Sequence, residues 1–291
     1  MWQSNENGGV THAKTRRLAA VSDCQIATTY GLFLHSYTAR RVMRYDDVLP
    51  PVQALFEMVE REEGRDELEI ELRFGRVGEH GNFVPGMPRE FIDNAIRRLM
   101  TNPDCRSSEW TEHEDYFYSI DTAPGDRQQV RTRVTFDPYE LCIKVAHVRK
   151  KRLASVMLQA GDVALKIALS RETPVSASLL PTASETDMVR IQQRKSILWS
   201  RQKSKSPPWR YESSLTWTGV TKSEVESTRY NQGGCTNEFE IELDLKSPYV
   251  ACHSSKYLAE SMLLKAADFI DTHSNLVLRK RDLPSNSCTS R

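Results

Sequence analysis

The sequence predicts an α+β fold that is mainly β, a closed antiparallel eight-stranded barrel with flanking helices, on three observations. From about residue 110 to 245 polar and apolar side chains alternate with period two between polar loops, as strands do. Helical spacing is confined to the two flanks of that region. Two glutamate combs bracket it, Glu67-Leu-Glu69-Ile-Glu71 and Glu238-Phe-Glu240-Ile-Glu242, about 170 positions apart. Successive side chains of a strand point to opposite faces, so the glutamates of a comb share one face. Like charges on one face are costly unless something cationic lies among them. Two such strands facing each other would suit a divalent cation, because hard cations prefer oxygen ligands.

Residues 1–45 are polar and Gly/Ser/Thr/Arg-bearing, with one short apolar patch at 30–34, and are expected to form a flexible N-terminal extension. The spacing of Val52, Leu55, Phe56 and Val59 predicts a helix over 51–60. A strand carrying the first comb follows and ends at Phe74-Gly75-Arg76. A second helix is expected over 88–100, with Pro88 at its first position and an apolar stripe of Phe91, Ile92, Ala95, Ile96 and Leu99. Strands are expected over 110–120, 128–136, 140–149, 163–172, 188–200, 209–218 and 237–245. Loops rich in Ser, Thr, Pro or Gly separate them at 174–185, 203–208 and 221–234. A last amphipathic helix over 254–272 uses Leu258, Met262, Leu263, Ala266, Phe269 and Ile270. About eight strands close most economically into one barrel. The domain is expected over 46–275, with a tail at 276–291.

Composition narrows the classes. Hydrophobic residues make up 39% and charged residues 27% of the 291, with no apolar run long enough for a bilayer. No secretory-type apolar segment opens the chain, so an intracellular location is expected. The six cysteines lack a CxxC pair and the seven histidines lack ligand spacing, which argues against thiolate or zinc sites. The net charge of +1 hides strong segregation between strand faces. Arg131, Arg133 and Thr135 share one face. So do Lys166, Ser170 and Glu172, then Arg190, Gln192, Arg194 and Ser196, and then Arg210, Glu212, Ser214 and Thr216. On any single strand this reads as a solvated outer face. Turned inward together, these faces would make a tunnel with a carboxylate floor and cationic walls. Such a lumen suits a polyanion with a divalent ion.

Glu67-Leu-Glu69-Ile-Glu71-Leu-Arg73-Phe-Gly75 resembles the first metal-binding motif of the triphosphate tunnel metalloenzymes. It is most similar to that of the metal-dependent RNA 5′-triphosphatases of mRNA capping in fungi, protozoa and large DNA viruses. Glu238-Phe-Glu240-Ile-Glu242 resembles the last such motif. Between them, Arg133-Val-Thr135, Lys166-Ile-Ala-Leu-Ser170-Arg-Glu172-Thr-Pro174, Arg194-Lys-Ser196 and Arg210-Tyr-Glu212-Ser-Ser214 follow the family's basic strands in order. The resemblance spans about residues 50–272. Gln192 departs from it, standing where a base is usual, with Arg190 or Lys195 as alternative substitutes. Glu212 and Ser214 replace Asp and Thr, and a register shifted by two would bring in Thr216 instead.

The resemblance implies Mg²⁺ or Mn²⁺ on Glu69, Glu71 and Glu242, with Glu238 and Glu240 as further floor residues. It implies that Glu172 orients or deprotonates the attacking water. Arg133, Lys166, Arg194 and Arg210 would hold phosphate oxygens, Glu212 would lie among them, and Arg73, Lys150 and Arg152 are secondary candidates. The implied reaction removes the γ-phosphate from the 5′-triphosphate end of nascent mRNA, with nucleoside triphosphates as further substrates. The implied partner is an mRNA guanylyltransferase, since no KxDG motif occurs here. A nuclear or viral transcription-site location is expected, with no membrane. The basic runs 149–152 and 279–281 are candidate import signals, though the first equally suits a barrel strand. The rival readings are an inorganic triphosphatase or other tunnel phosphohydrolase, and a non-catalytic RNA-binding barrel.

Overall fold

The structure, a computed structural model, describes residues 45–123, 126–139, 141–180, 186–199, 208–231 and 233–270. Except for Tyr45, the expected N-terminal extension with its apolar patch lies outside the described residues, as do the tail at 276–291 and the basic run 279–281.

In chain order the elements are α1 (Tyr45–Arg61), β1 (Leu68–Val77), β2 (Phe83–Pro85), α2 (Arg89–Met100), β3 (Cys105–Ala123) and β4 (Asp126–Phe136). They continue with β5 (Cys142–Ala160), β6 (Val163–Pro174), β7 (Met188–Trp199), β8 (Trp209–Gly219), α3 (Lys222–Tyr230), β9 (Thr236–Leu243), α4 (Pro248–Ala251) and α5 (Ser255–Ile270). The sheet runs β1-β6-β5-β4-β3-β7-β8-β9 and closes because β9 also pairs with β1. That closure is the expected eight-stranded barrel, and β2 is an extra strand on β1.

The apolar faces point outward, under the helices. Leu68, Ile70, Leu72 and Phe74 of β1 pack with Phe239, Ile241 and Leu243 of β9, the apolar face of β6 and the buried stripes of α1, α2 and α5. Phe74 anchors this layer, its ring centroid 5.5 Å from that of Phe91, 5.4 Å from Phe239 and 6.2 Å from Phe269. A smaller cluster of Val189, Ile191, Trp217 and Val225 seats α3 on β7 and β8. With its apolar surface buried outside, the barrel leaves its polar faces to line the lumen.

Several element expectations are corrected. The strand expected over 140–149 extends to Ala160, taking in the whole basic run 149–152. The loop expected over 221–234 contains α3, whose first turn is capped by the Thr221 hydroxyl accepting from the Glu224 N–H at 3.2 Å. Pro88 is the cap of α2 and not its first residue. Glu67 stands outside its strand, in a 3-10 turn that Gly64 enters at a φ of 67°, so only two glutamates of the first comb share the strand face.

Candidate active site

Register brings the combs together. Across the β1–β9 closure Glu71 faces Glu242 and Arg73 faces Glu240, and across β8–β9 Arg210 faces Glu242 and Glu212 faces Glu240. Glu69, Glu71 and Arg73 alternate with the core residues of β1, so they line the lumen. Cations interleave with these carboxylates. Arg73 lies 3.1 Å from both Glu71 and Glu240, and Lys150 lies 3.0 Å from Glu69, 3.5 Å from Glu71 and 3.7 Å from Glu172. Arg210 contacts Glu242 and lies 3.2 Å from Glu212, which also receives Arg194 at 2.6 Å. The glutamates of β1 and β9 thus adjoin, and basic side chains from β5 and β8 reach over them to pair. Opposed glutamates would repel unless a guanidinium stood beside them.

The far wall is built on Asp115 of β3, which is fully buried. Arg133 donates to it from Nε and an Nη at 2.6 and 2.8 Å, and Arg190 donates at 3.0 and 2.5 Å. Arg133 also approaches the Gln192 Oε1 at 3.4 Å, as Arg194 does at 3.3 Å, while the Gln192 amide donates to the Thr216 hydroxyl at 3.1 Å. His113 lies between Thr111 and Thr135, at 3.1 and 3.0 Å. Arg131 donates to Glu172 at 3.0 Å.

Every candidate named from the sequence as a principal site residue thus falls on the lumen face. Glu238 faces Ser214, with both buried, and Lys166 is the cross-strand partner of Arg73 at one end of the tunnel. Of the secondary candidates Arg73 and Lys150 reach the carboxylates, whereas Arg152 is exposed. Ser214 and Thr216 share the lumen face, so the two alternative registers place both hydroxyls there. Arg190 shares the face of Gln192 and supplies a base beside it, while Lys195 points outward over the Trp110 ring at 5.9 Å. Glu67 lies apart, 3.3 Å from Arg171. Asp115 and His113 were not singled out from the sequence. Asp115 alternates as the combs do, but only the β3–β4 and β3–β7 registers show what it opposes.

Burial and neighbouring charge tune these groups. Burial pushes the Glu242 carboxyl up to about 7, opposed by Arg210 and assisted by Glu69 and Glu212. Burial, then the Glu240 charge, raises Glu238. Burial also acts to raise Glu172, but Arg131 and Lys150 outweigh it and hold Glu172 below the usual carboxylate range. Asp115 is lowered too, because its two arginines overcome its burial. Burial lowers Lys150, and Glu71, Glu69 and Glu172 reverse that. His113 is driven down to about 3 by burial, then by Arg194 and Arg133, so its imidazole is neutral at ordinary pH. Among the described residues the buried Nε atoms of Arg131 and Arg194 make no hydrogen bond, whereas the Arg73 Nε pairs with the Glu240 Oε1 at 3.1 Å and the Arg210 Nε with Glu212 at 3.2 Å. Unsatisfied guanidinium donors in a closed lumen are suited to anionic oxygens.

A family model described as mRNA capping enzyme, beta chain, matches residues 87–277. The match begins after β1, so Glu69 and Glu71 lie outside it and are tied to Glu242 by the barrel closure. Among solved structures, the S. pombe Pct1 RNA triphosphatase is similar at 15% identity and a TM-score of 0.50, covering 76% of this chain and 90% of that one. The Mimivirus capping enzyme triphosphatase gives 12% identity and a TM-score of 0.48, covering 79% of this chain and 100% of that one. No curated protein matches the sequence. The Pct1 likeness bears on the fold.

Proposed function

We propose how the tunnel works from one premise: the chain belongs to the mRNA capping enzyme, beta chain family. Its activity is 5′-triphosphate hydrolysis at the RNA end in cap formation, which makes it a hydrolase. The family is metal-dependent.

Among the described residues no three His, Cys, Asp or Glu side chains stand ready-arranged around an ion. Lys150, Arg73 and Arg210 lie on the carboxylates that would do so. The donor chemistry still fits a hard divalent cation. Glu69 and Glu71 share a face, and Glu242 opposes Glu71 across the closure, which sets three carboxylates on two adjoining strands. On this reading Glu69, Glu71 and Glu242 hold Mg²⁺ or Mn²⁺, with Glu238 and Glu240 behind them. The bound cation supplies Lewis-acid neutralisation of the phosphate charge.

Arg133, Lys166, Arg194 and Arg210 bind the triphosphate oxygens and offset the charge that develops as the β–γ bridge breaks. Glu212 holds Arg194 and Arg210 in place for that task. Glu172, whose carboxyl Arg131 and Lys150 hold below its ordinary value against its burial, accepts a hydrogen bond from the attacking water. The same contact lets Glu172 orient that water or take its proton. Nucleoside triphosphates present the same phosphate chain and are included as substrates. Residues 46–275 form the catalytic domain on this reading, with 1–45 as an extension and 276–291 as a tail. Hydrolysis leaves a diphosphate end, so a guanylyltransferase is the fitting partner, in the nucleus or at a site of viral transcription.

The observation that carries the reading is the opposition of Glu71 and Glu242 across the barrel closure. Phosphate release from γ-labelled triphosphate RNA, with and without divalent cation, tests it. Glu71→Ala and Glu242→Ala should each cost about 100-fold or more of the cation-dependent rate, on the order of an effect confined to the transition state. RNA binding without cation-dependent release in the parent protein would replace the enzyme reading with the binding one. Release from tripolyphosphate but not from RNA would overturn the RNA-end substrate.

A further inference from the structure

The triphosphate must leave its nucleoside at one end of the tunnel, and the two ends differ. At the end where β1 exchanges β9 for β2, Val77 opposes Phe83 and Gly75 opposes Pro85. Cross-strand partners share a face, so Phe83 lies on the same face as Glu71, Arg73 and Gly75. Its ring occupies the space left by the missing side chain of Gly75. A Cβ there would come within 2.7 and 2.8 Å of two Phe83 ring carbons. The half-buried ring lies 5.7 Å from the Lys166 Nζ. Across the lumen, β3 presents Phe117 two residues beyond Asp115, on the same face and towards the same end. Its half-buried ring is 5.2 Å from the Arg190 guanidinium carbon. Among the described residues, phenylalanines project from the lumen faces of the strands only at this end.

We propose that Phe83 and Phe117 form a nucleobase-stacking platform at this mouth, engaging the first base of the 5′-triphosphate RNA while Lys166 and Arg190 face its phosphate chain. The proposal rests on the hydrolytic reading above and adds to it the part of the substrate that enters last. Gly75 lies four residues along β1 from Glu71, about 13 Å, which leaves room for a phosphate chain between carboxylates and rings. A ring flanked by a cation and open to solvent on one side stacks any base, so the platform reads the presence of a base and not its identity.

The test uses two substrates, a triphosphate RNA and the same RNA with an abasic first nucleotide, each assayed for cation-dependent phosphate release. The parent protein should favour the base-bearing RNA in kcat/KM by about fivefold or more, the fold-change of one stacked base. Phe83→Leu and Phe117→Leu keep apolar bulk without a π face and should each shrink that preference, whereas Phe83→Trp should keep it. Circular dichroism of the variants establishes that they fold. Equal kcat/KM for both RNAs in the parent protein would overturn the platform while leaving the hydrolytic reading intact. So would leucine variants that slow both substrates by the same factor. Release from neither RNA would overturn both readings together.

Discussion

Asp115 shows why a buried carboxylate can matter as much as the glutamates that face a metal. It is wholly buried and takes hydrogen bonds from Arg133 and Arg190, so removing its charge leaves two guanidiniums in the lumen without their partner. Asp115→Asn should therefore cost about 3–5 kcal/mol in denaturant-unfolding free energy, the usual consequence of stranding a buried charge. A triphosphate should restore part of that loss by pairing with the same arginines. His113 contributes to the pH dependence of this wall. The unfolded chain takes up its proton near the ordinary histidine value, whereas the folded chain does so only near 3. Between those values the unfolded state binds more protons, so stability falls as pH falls through that window. His113→Gln removes this contribution, and its stability should decline less from pH 6.5 to 3 than that of the parent protein, measured by thermal melts across pH.

At the scale of elements, alternation carried most of the prediction, and its failures have local causes. β6, β7 and β8 were legible within two residues because strict alternation runs between clear breaks. The second half of β5 was missed because a bulge between Arg152 and Ala154 breaks the period. α3 was read as a loop since it buries only Val225 and is otherwise polar. It is secured instead by its cap and by ion pairs to β3, Arg229 to Glu112 at 2.6 Å and Lys222 to Glu114 at 2.7 Å. Thr221→Ala should lower stability by about 1 kcal/mol in chemical denaturation, the worth of an N-cap hydroxyl. An unchanged midpoint would mean that the ion pairs alone hold α3 in place.

At the largest scale the described residues form a barrel turned inside out, with its apolar faces under helices and its charged faces around a lumen. Such a lumen should be relieved by ligands that bring the complementary charge. Saturating divalent cation together with tripolyphosphate should raise the melting temperature, corresponding to about 2.7 kcal/mol at a hundred times the dissociation constant. In Glu242→Ala the contribution of the cation to that shift should be lost, and differential scanning fluorimetry reads both. The sequence by itself determined that Glu69, Glu71, Glu238, Glu240 and Glu242 alternate with core residues, and that basic strands of the same period lie between them. That information is local, because the face a side chain takes depends only on its own strand. What opposes what is not local. The tertiary structure alone decided that β9 closes on β1 to bring Glu242 to Glu71, and that Asp115 binds both Arg133 and Arg190. It also decided that Phe83 folds over Gly75. Partners across strands follow from register, and register is set by long-range hydrogen bonding and by the packing of the outer faces, which no single strand encodes.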